Sequence, residues 1–170
     1  LIEAPAHAVE GLEGQLFELL IGRNLLQGAN QQVLEDWVKQ LETLLHAGAE
    51  VHLMSSQPQA GPAELLNADH APLIEAEQRW LAERQPLEQL QELLAAANWN
   101  VTQEQWTDQV SLQVDSGLIT RWFSKQATYR QAMEEQLGDQ AIKALKTSYQ
   151  KRIGTKLRQT ISHQHLVARR

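Results

Sequence analysis

The stretch Leu16 to Met54, LFELLIGRNLLQGANQQVLEDWVKQLETLLHAGAEVHLM, decides the fold. It opens on the apolar run Leu16-Phe17-Glu18-Leu19-Leu20-Ile21, which stops at Gly22. That length, with a turn behind it, predicts a strand buried on both faces. Leu is a weak strand former, so composition alone leaves a helix open. From Val33 the spacing changes. Val33, Leu34, Trp37, Val38, Leu41, Leu44 and Leu45 recur at intervals of three and four, which makes one apolar helix face. Glu35 and Asp36 in its early turns suit the helix dipole. Gly48, free to take the left-handed conformation, is expected to end the helix. Glu50 to Met54 then reads as the next strand. Strand, helix and strand in that order are a βαβ unit of a parallel sheet, whose crossover is right-handed in nearly all proteins.

Working outward, Leu1 to Gln15 holds Pro5, Gly11 and Gly14 and reads as a connection, with Leu1-Ile2 fitting the end of a strand. Ser55 to Ala71 holds Pro58 and Gly61 and reads as a loop. Ile74, Trp80, Leu81, Leu87, Leu90, Leu93 and Leu94 keep helical spacing up to about Ala97. Pro86 makes this two helices or one kinked helix. Trp99, Val101, Val110, Leu112 and Val114 predict an antiparallel pair or one long bent strand. Leu118 to Phe123 is a short helix or turn. Tyr129 to Leu137 and Asp139 to Ile153 are helices parted by Gly138. In the tail, Ile161, His163, His165 and Val167 alternate along one face of a last strand, Thr160 to Ala168. The fold class is α/β with a mixed sheet.

Composition narrows the function classes. The 170 residues are 42% hydrophobic and 21% charged, ordinary values for a globular domain. With no cysteine, disulfides and thiolate metal sites are excluded. No apolar run approaches the roughly 20 residues needed to cross a bilayer, and no signal pattern opens the chain. The compartment is read as cytoplasmic, with no membrane partner. The net charge of −6 hides an asymmetry: Leu118 to Arg170 carries eleven Lys and Arg against Glu134, Glu135 and Asp139. Such a segment can attract nucleic acid, or it can be a pair of solvated helix faces. Arg121, Lys125 and Arg130, near Trp122 and Tyr129, are the candidate phosphate contacts.

Several phrases resemble the class I S-adenosylmethionine-dependent methyltransferases. Phe17-Glu18-Leu19-Leu20-Ile21-Gly22-Arg23-Asn24-Leu25-Leu26 is similar to the family's phrase at the end of its fourth strand. Leu44-Leu45-His46-Ala47-Gly48-Ala49 resembles its turn into the fifth, although the usual Pro-Gly-Gly is replaced. Ala95 to Val101 looks like the approach to its sixth strand, and Ile161 to Ala168 looks like its seventh. The resemblance implies an α/β fold, the second half of a Rossmann-like methyltransferase sheet, parallel except for an antiparallel C-terminal strand, plus C-terminal helices. It treats residues 1–170 as one N-terminally incomplete domain. The glycine-rich turn and the ribose-binding acid of the family are then expected before Leu1. It further implies S-adenosylmethionine as cofactor in the complete domain, with Glu3, Ala4, Gly22, Arg23 and Asn24 at the cofactor site. An upstream domain of the same polypeptide is the implied partner.

The segment ITRWFSKQATYRQAMEEQLG and the tail after it are also similar to methyltransferase-like extensions of bacterial replication-associated recombination AAA+ ATPases. That implies an alternative: a non-catalytic accessory or interaction module of such an ATPase. No phosphate-binding Gly-x-x-x-x-Gly-Lys occurs here. No catalytic set stands out. His163 and His165 share a strand face but no third ligand is evident beside them, and His7, His46, His52 and His70 are scattered without ligand spacing, so no metal is expected. Trp106, in a polar stretch, is a candidate wall of a substrate cleft. The bland reading of Gly22-Arg23-Asn24 is a polar turn.

Overall fold

The structure, a computed structural model, describes residues 16–67, 70–84 and 87–170. Eleven elements follow in order: β1 (Phe17–Arg23), α1 (Gln31–Leu44), β2 (Leu45–Pro58), α2 (Pro62–Leu65), α3 (Ala71–Ala82), α4 (Leu87–Ala96), β3 (Asn100–Gln113), α5 (Ser116–Phe123), α6 (Thr128–Leu137), α7 (Asp139–Gln150) and β4 (Lys156–Arg169). The strands form one sheet in the order β1-β2-β4-β3. β1 and β2 are parallel, with Leu20 beside Val51 and Ile21 beside His52. The last strand runs the other way. Arg170 N–H donates to Ala49 O (3.2 Å) and Gln59 N–H to Thr160 O (2.9 Å), so β2 rises as β4 falls. Val114 N–H donates to Thr155 O and Gly154 N–H to Val114 O, both at 2.9 Å, which starts β4 antiparallel to β3. The fold is therefore α/β with a four-stranded mixed sheet, as expected.

Two compact units are present. The first takes the described residues up to Ser56 with Arg84–Trp106 and His163–Arg170. The second takes Gln57–Glu83 and Thr107–Ser162. In the first, α1 and α4 lay Trp37, Val38, Leu41, Leu87, Leu90 and Leu94 on Val51, Leu53, Leu166 and Ala168 of the strands. Each such buried side chain contributes about 1.5–3 kcal/mol. The Asn30 side chain begins α1 by accepting from Val33 N–H at 3.0 Å.

Burial of β1 on both faces is not what the structure has. Leu19 is 50% and Ile21 68% exposed. Among the described residues β1 is the edge of the sheet, and α1 and α4 pack on the face that carries Val51 and Leu53. Strand side chains alternate, so Leu20 turns inward while Leu19 and Ile21 turn out. Val33 is likewise off the apolar face of α1, at 46% exposed. Gly48 does not stop the helix. α1 already ends at Leu44, and Gly48 (φ +88°) lies within β2 where the register slips between the Phe17–Leu45 and Leu19–Glu50 pairs. The expected loop from Ser55 is shorter, because β2 runs to Pro58 and α2 follows. β3 is one long strand, and of the two helical alternatives the separate helices α3 and α4 are observed, while Pro86 lies outside the described residues.

The second unit is helical and aromatic. Phe123, Tyr129, Met133, Ile142 and Tyr149 are buried together with Leu73, Ala76 and Val114. Trp80 and Phe123 each meet Tyr129 edge-on, with centroids 5.9 Å apart. Gly138, at φ +78°, makes the corner between α6 and α7, a conformation costly for any other residue.

Candidate functional site

The carboxyl ends of β1 and β2 gather the residues of interest in the first unit. Gly22 sits where space is tight. A Cβ there would stand 2.2 Å from Leu25 Cδ1 and 3.0 Å from Leu53 Cδ2. Arg23 beside it is exposed and pairs in register with Met54. Asn24 turns the chain with φ +53°, a conformation Asn tolerates better than most residues. Its main-chain N–H donates to Met54 O at 2.7 Å, and its Oδ1 accepts from Ser56 N–H at 2.8 Å. Asn24 thus closes the end of β1 onto β2. Leu26 (φ +62°) and Gly28 (φ +72°) continue the left-handed turn. A left-handed Leu costs about 1–2 kcal/mol, which the surrounding contacts must offset.

Ser56 carries this end of the sheet to β4. Its Oγ lies 2.9 Å from Nδ1 of His163, and the Trp106 indole stacks on the His163 ring at 5.2 Å and 15°. Trp106 remains 40% exposed. The run Asn24, Ser56, His163, Trp106 therefore crosses from the loop after β1 to β3. It combines polar groups with one exposed aromatic plane, the equipment of an orienting surface. Glu3 and Ala4 lie outside the described residues.

A second polar chain occupies the same sheet face nearer the start of β2. Glu50 Oε2 is 3.1 Å from His52 Nε2, and His52 Nδ1 is 3.2 Å from His165 Nε2. Arg169 Nε donates to the other oxygen of Glu50 at 2.7 Å. The His52 contact first, and then Arg169, holds the Glu50 carboxyl below its usual range. Sequence reading missed Ser56 and both His pairings. Only the β2–β4 register brings residues more than a hundred positions apart together.

The candidate phosphate contacts lie in the second unit and are not alike. Arg121 and Lys125 are exposed. Arg130 is drawn inward: Nε meets Glu134 Oε2 at 3.0 Å, Nη2 meets Asp139 Oδ1 at 2.8 Å, and Nη1 donates to Phe123 O at 3.2 Å. The same unit buries Glu77 completely. Its carboxyl accepts from Ala63 N–H (2.7 Å), Glu64 N–H (3.2 Å) and the Tyr129 hydroxyl. Burial raises Glu77 above the usual carboxyl range, and these hydrogen bonds oppose the rise. Burial and the nearby Glu77 also push the Tyr129 hydroxyl up. Gly61 makes room for the carboxyl, since a Cβ there would stand 2.4 Å from Glu77 Cδ.

Between α1 and α4 runs a groove of about 300 Å³ lined by Glu35, Val38, Lys39, Glu42, Leu93, Ala96 and Ala97, none of them at the carboxyl-end site. Among the described residues, no group of three or more His, Asp or Glu is placed to hold a metal ion, and no helix is long and apolar enough to cross a membrane.

No family model matches the chain, and no curated protein does. Solved structures align at low identity. A candidate methyltransferase of Bacillus halodurans is 10% identical, with a TM-score of 0.47 over 98% of this chain and 69% of that one. The plantazolicin methyltransferase BpumL, solved with a pentazolic desmethylPZN analog and SAH, is 9% identical, with a TM-score of 0.37 over 92% of this chain and 53% of its own. The plantazolicin methyltransferase BamL, with a triazolic analog and SAH, is 11% identical, with a TM-score of 0.38 over 98% and 58%. The chain thus spans little more than half the length of the two plantazolicin enzymes.

Proposed function

We propose that the chain is the carboxyl-terminal part of an S-adenosylmethionine-dependent methyltransferase-like domain. One observation carries the reading: a parallel β1–β2 pair joined through α1, with a final strand antiparallel to its neighbours. That is the arrangement the sequence resemblance implies. In open α/β sheets ligands bind beyond the carboxyl ends of the strands, and Gly22, Arg23 and Asn24 stand there.

The described residues fit only part of the cofactor. The loop from Gly22 to Gly28 contains no acid, so it offers no carboxylate to a ribose diol. Asn24 has already spent its main-chain N–H and its Oδ1 on the fold. Exposed Arg23 suits a carboxylate, which guanidinium clamps with two parallel hydrogen bonds. We assign Arg23 to the amino-acid end of the cofactor and Asn24 to holding the loop. Trp106 forms a wall that shields the acceptor from water. When bound, the cofactor supplies an electrophilic methyl group; orientation and dryness are what these residues add. In this reading the upstream part of the same polypeptide supplies the glycine-rich turn and the ribose-binding acid.

Calorimetry with S-adenosylmethionine and its demethylated product tests the reading on this chain and on the polypeptide extended upstream. This chain is expected to bind weakly or not at all, and the extended one to bind with one site. Arg23→Ala should then loosen binding by about tenfold, or 1.4 kcal/mol. An extended polypeptide without affinity, or an Arg23→Ala variant that binds unchanged, would overturn it.

A second reading rests on charge. Exposed Arg121 and Lys125, on the basic segment, suit a non-catalytic accessory module in which the fold is a scaffold that touches nucleic acid. Replacing both with Ala should lower affinity for single-stranded or duplex DNA and flatten its salt slope by about one unit per lost contact. Arg130→Ala should not change the slope, because its guanidinium serves Glu134 and Asp139. Fluorescence anisotropy at several salt concentrations reads all three. Absence of binding at low salt removes this second reading.

A further inference from the structure

The open face of the first unit's sheet carries a pair of imidazoles apart from the carboxyl-end site. His52 on β2 and His165 on β4 are half-buried, and the antiparallel strands fix their backbones. Glu50 stands behind His52 and takes the Nε2 proton at 3.1 Å. That contact assigns the tautomer, so Nδ1 of His52 presents a lone pair toward Nε2 of His165, 3.2 Å away. Arg169 pins the far oxygen of Glu50 and keeps the carboxylate in place.

A carboxylate behind a histidine, fixing its tautomer and orientation, is the usual support for a metal-bound imidazole. The spacing agrees with it. Two nitrogens, each about 2.0–2.1 Å from one tetrahedral ion, stand about 3.3 Å apart. We propose that His52 Nδ1 and His165 Nε2 form a two-imidazole site for a borderline divalent transition-metal ion, with Glu50 as its supporting carboxylate and water in the remaining positions.

Without the ion the two nitrogens share the proton on His165 Nε2. An ion needs a lone pair from each nitrogen, so with it His165 carries its proton on Nδ1 instead. The third imidazole of this face, His163, is engaged by Ser56 and Trp106 and is not a ligand. Imidazole donors select zinc, copper(II), nickel and cobalt(II) over magnesium and calcium, which prefer oxygen.

The test titrates the 170-residue chain, free of any polyhistidine tag, with zinc, nickel, copper(II), manganese and magnesium by calorimetry. Cobalt(II) visible spectra serve as an independent probe. One ion per chain is expected, tightest for copper(II), weaker for nickel and zinc, and absent for magnesium. His52→Ala should abolish it. His165→Gln keeps a donor for His52 but no imidazole, so it should lose the ion while melting as the parent does. Glu50→Gln should weaken binding about 10–100-fold. His46→Ala, an exposed control, should change nothing. Absence of saturable zinc or copper(II) binding, or binding that survives His165→Gln, would overturn the site and leave a shared proton only.

Discussion

The two units solve the burial problem in opposite ways. The first spends its apolar residues on one sheet face, under α1 and α4, and leaves the other to imidazoles, a tryptophan and a few exposed aliphatics. The second encloses a carboxylate inside an aromatic cluster and satisfies it from three directions. An apolar layer tolerates a shaved side chain by partial collapse. A buried polar junction has no such recourse, because each donor it leaves unpaired costs about 1–3 kcal/mol. The second unit should therefore be the more brittle to a single change.

Substitutions can break that comparison. Glu77→Ala should cost the most, about 3–5 kcal/mol, by orphaning Ala63 N–H, Glu64 N–H and the Tyr129 hydroxyl together. Denaturant unfolding measures it, and a loss below 1 kcal/mol would mean the junction is dispensable. In the first unit, Leu34→Ala should cost about 2–5 kcal/mol through the cavity it leaves. If it proves costlier than Glu77→Ala, the order of brittleness is reversed. Gly61→Ala should cost about 1–3 kcal/mol, because the new Cβ forces the Glu77 carboxyl aside. Combined with Glu77→Ala, its cost should largely vanish, and a double-mutant cycle reads that coupling directly.

Acidity separates the units further. Glu77 binds its proton more tightly in the folded state than in the unfolded one, because burial raises it. Its contribution is full below the ordinary glutamate value of 4.5 and is lost as pH rises through the higher folded value. Thermal melts across that range should therefore show the parent losing stability, relative to Glu77→Gln, as pH rises. A constant difference would mean that Glu77 does not titrate with folding.

The smallest effect concerns the edge. Leu19→Lys and Ile21→Lys should change stability by no more than about 0.5 kcal/mol, since both side chains already meet solvent. Both should reduce self-association, because charge on an unpaired edge strand blocks further pairing. Sedimentation decides, and a parent chain that is already a monodisperse monomer would remove the expectation.

The legible parts of the fold were those with a local period. Leu34, Trp37, Val38 and Leu41 announce α1 because helix periodicity is written in consecutive turns. His163 and His165 were legible as sharing a strand face for the same reason. What faces them was not, because pairing with Ser56 and His52 depends on strand register across the whole chain. The one-sided exposure of β1 escaped because a run such as Leu19-Leu20-Ile21 carries no alternation to reveal which residues turn outward. Asn24 was visible as a residue of interest, but not its double engagement with Met54 and Ser56. Glu77 gave no signal at all: a glutamate in a helical stretch reads as solvated until Gly61 and Tyr129 are brought to it.

The alternation of β4 has a genetic consequence. Gln164, Leu166 and Ala168 are buried, while His163, His165 and Val167 turn to the other side. The strand is anchored at its start by the Val114–Thr155 bond and just past its end by the Arg170–Ala49 bond. Removing one residue between the anchors inverts the parity of everything downstream, so that imidazoles enter the apolar layer and Leu166 leaves it. Removing two restores the parity and shortens the strand. In this segment a two-residue deletion should therefore be better tolerated than a one-residue deletion.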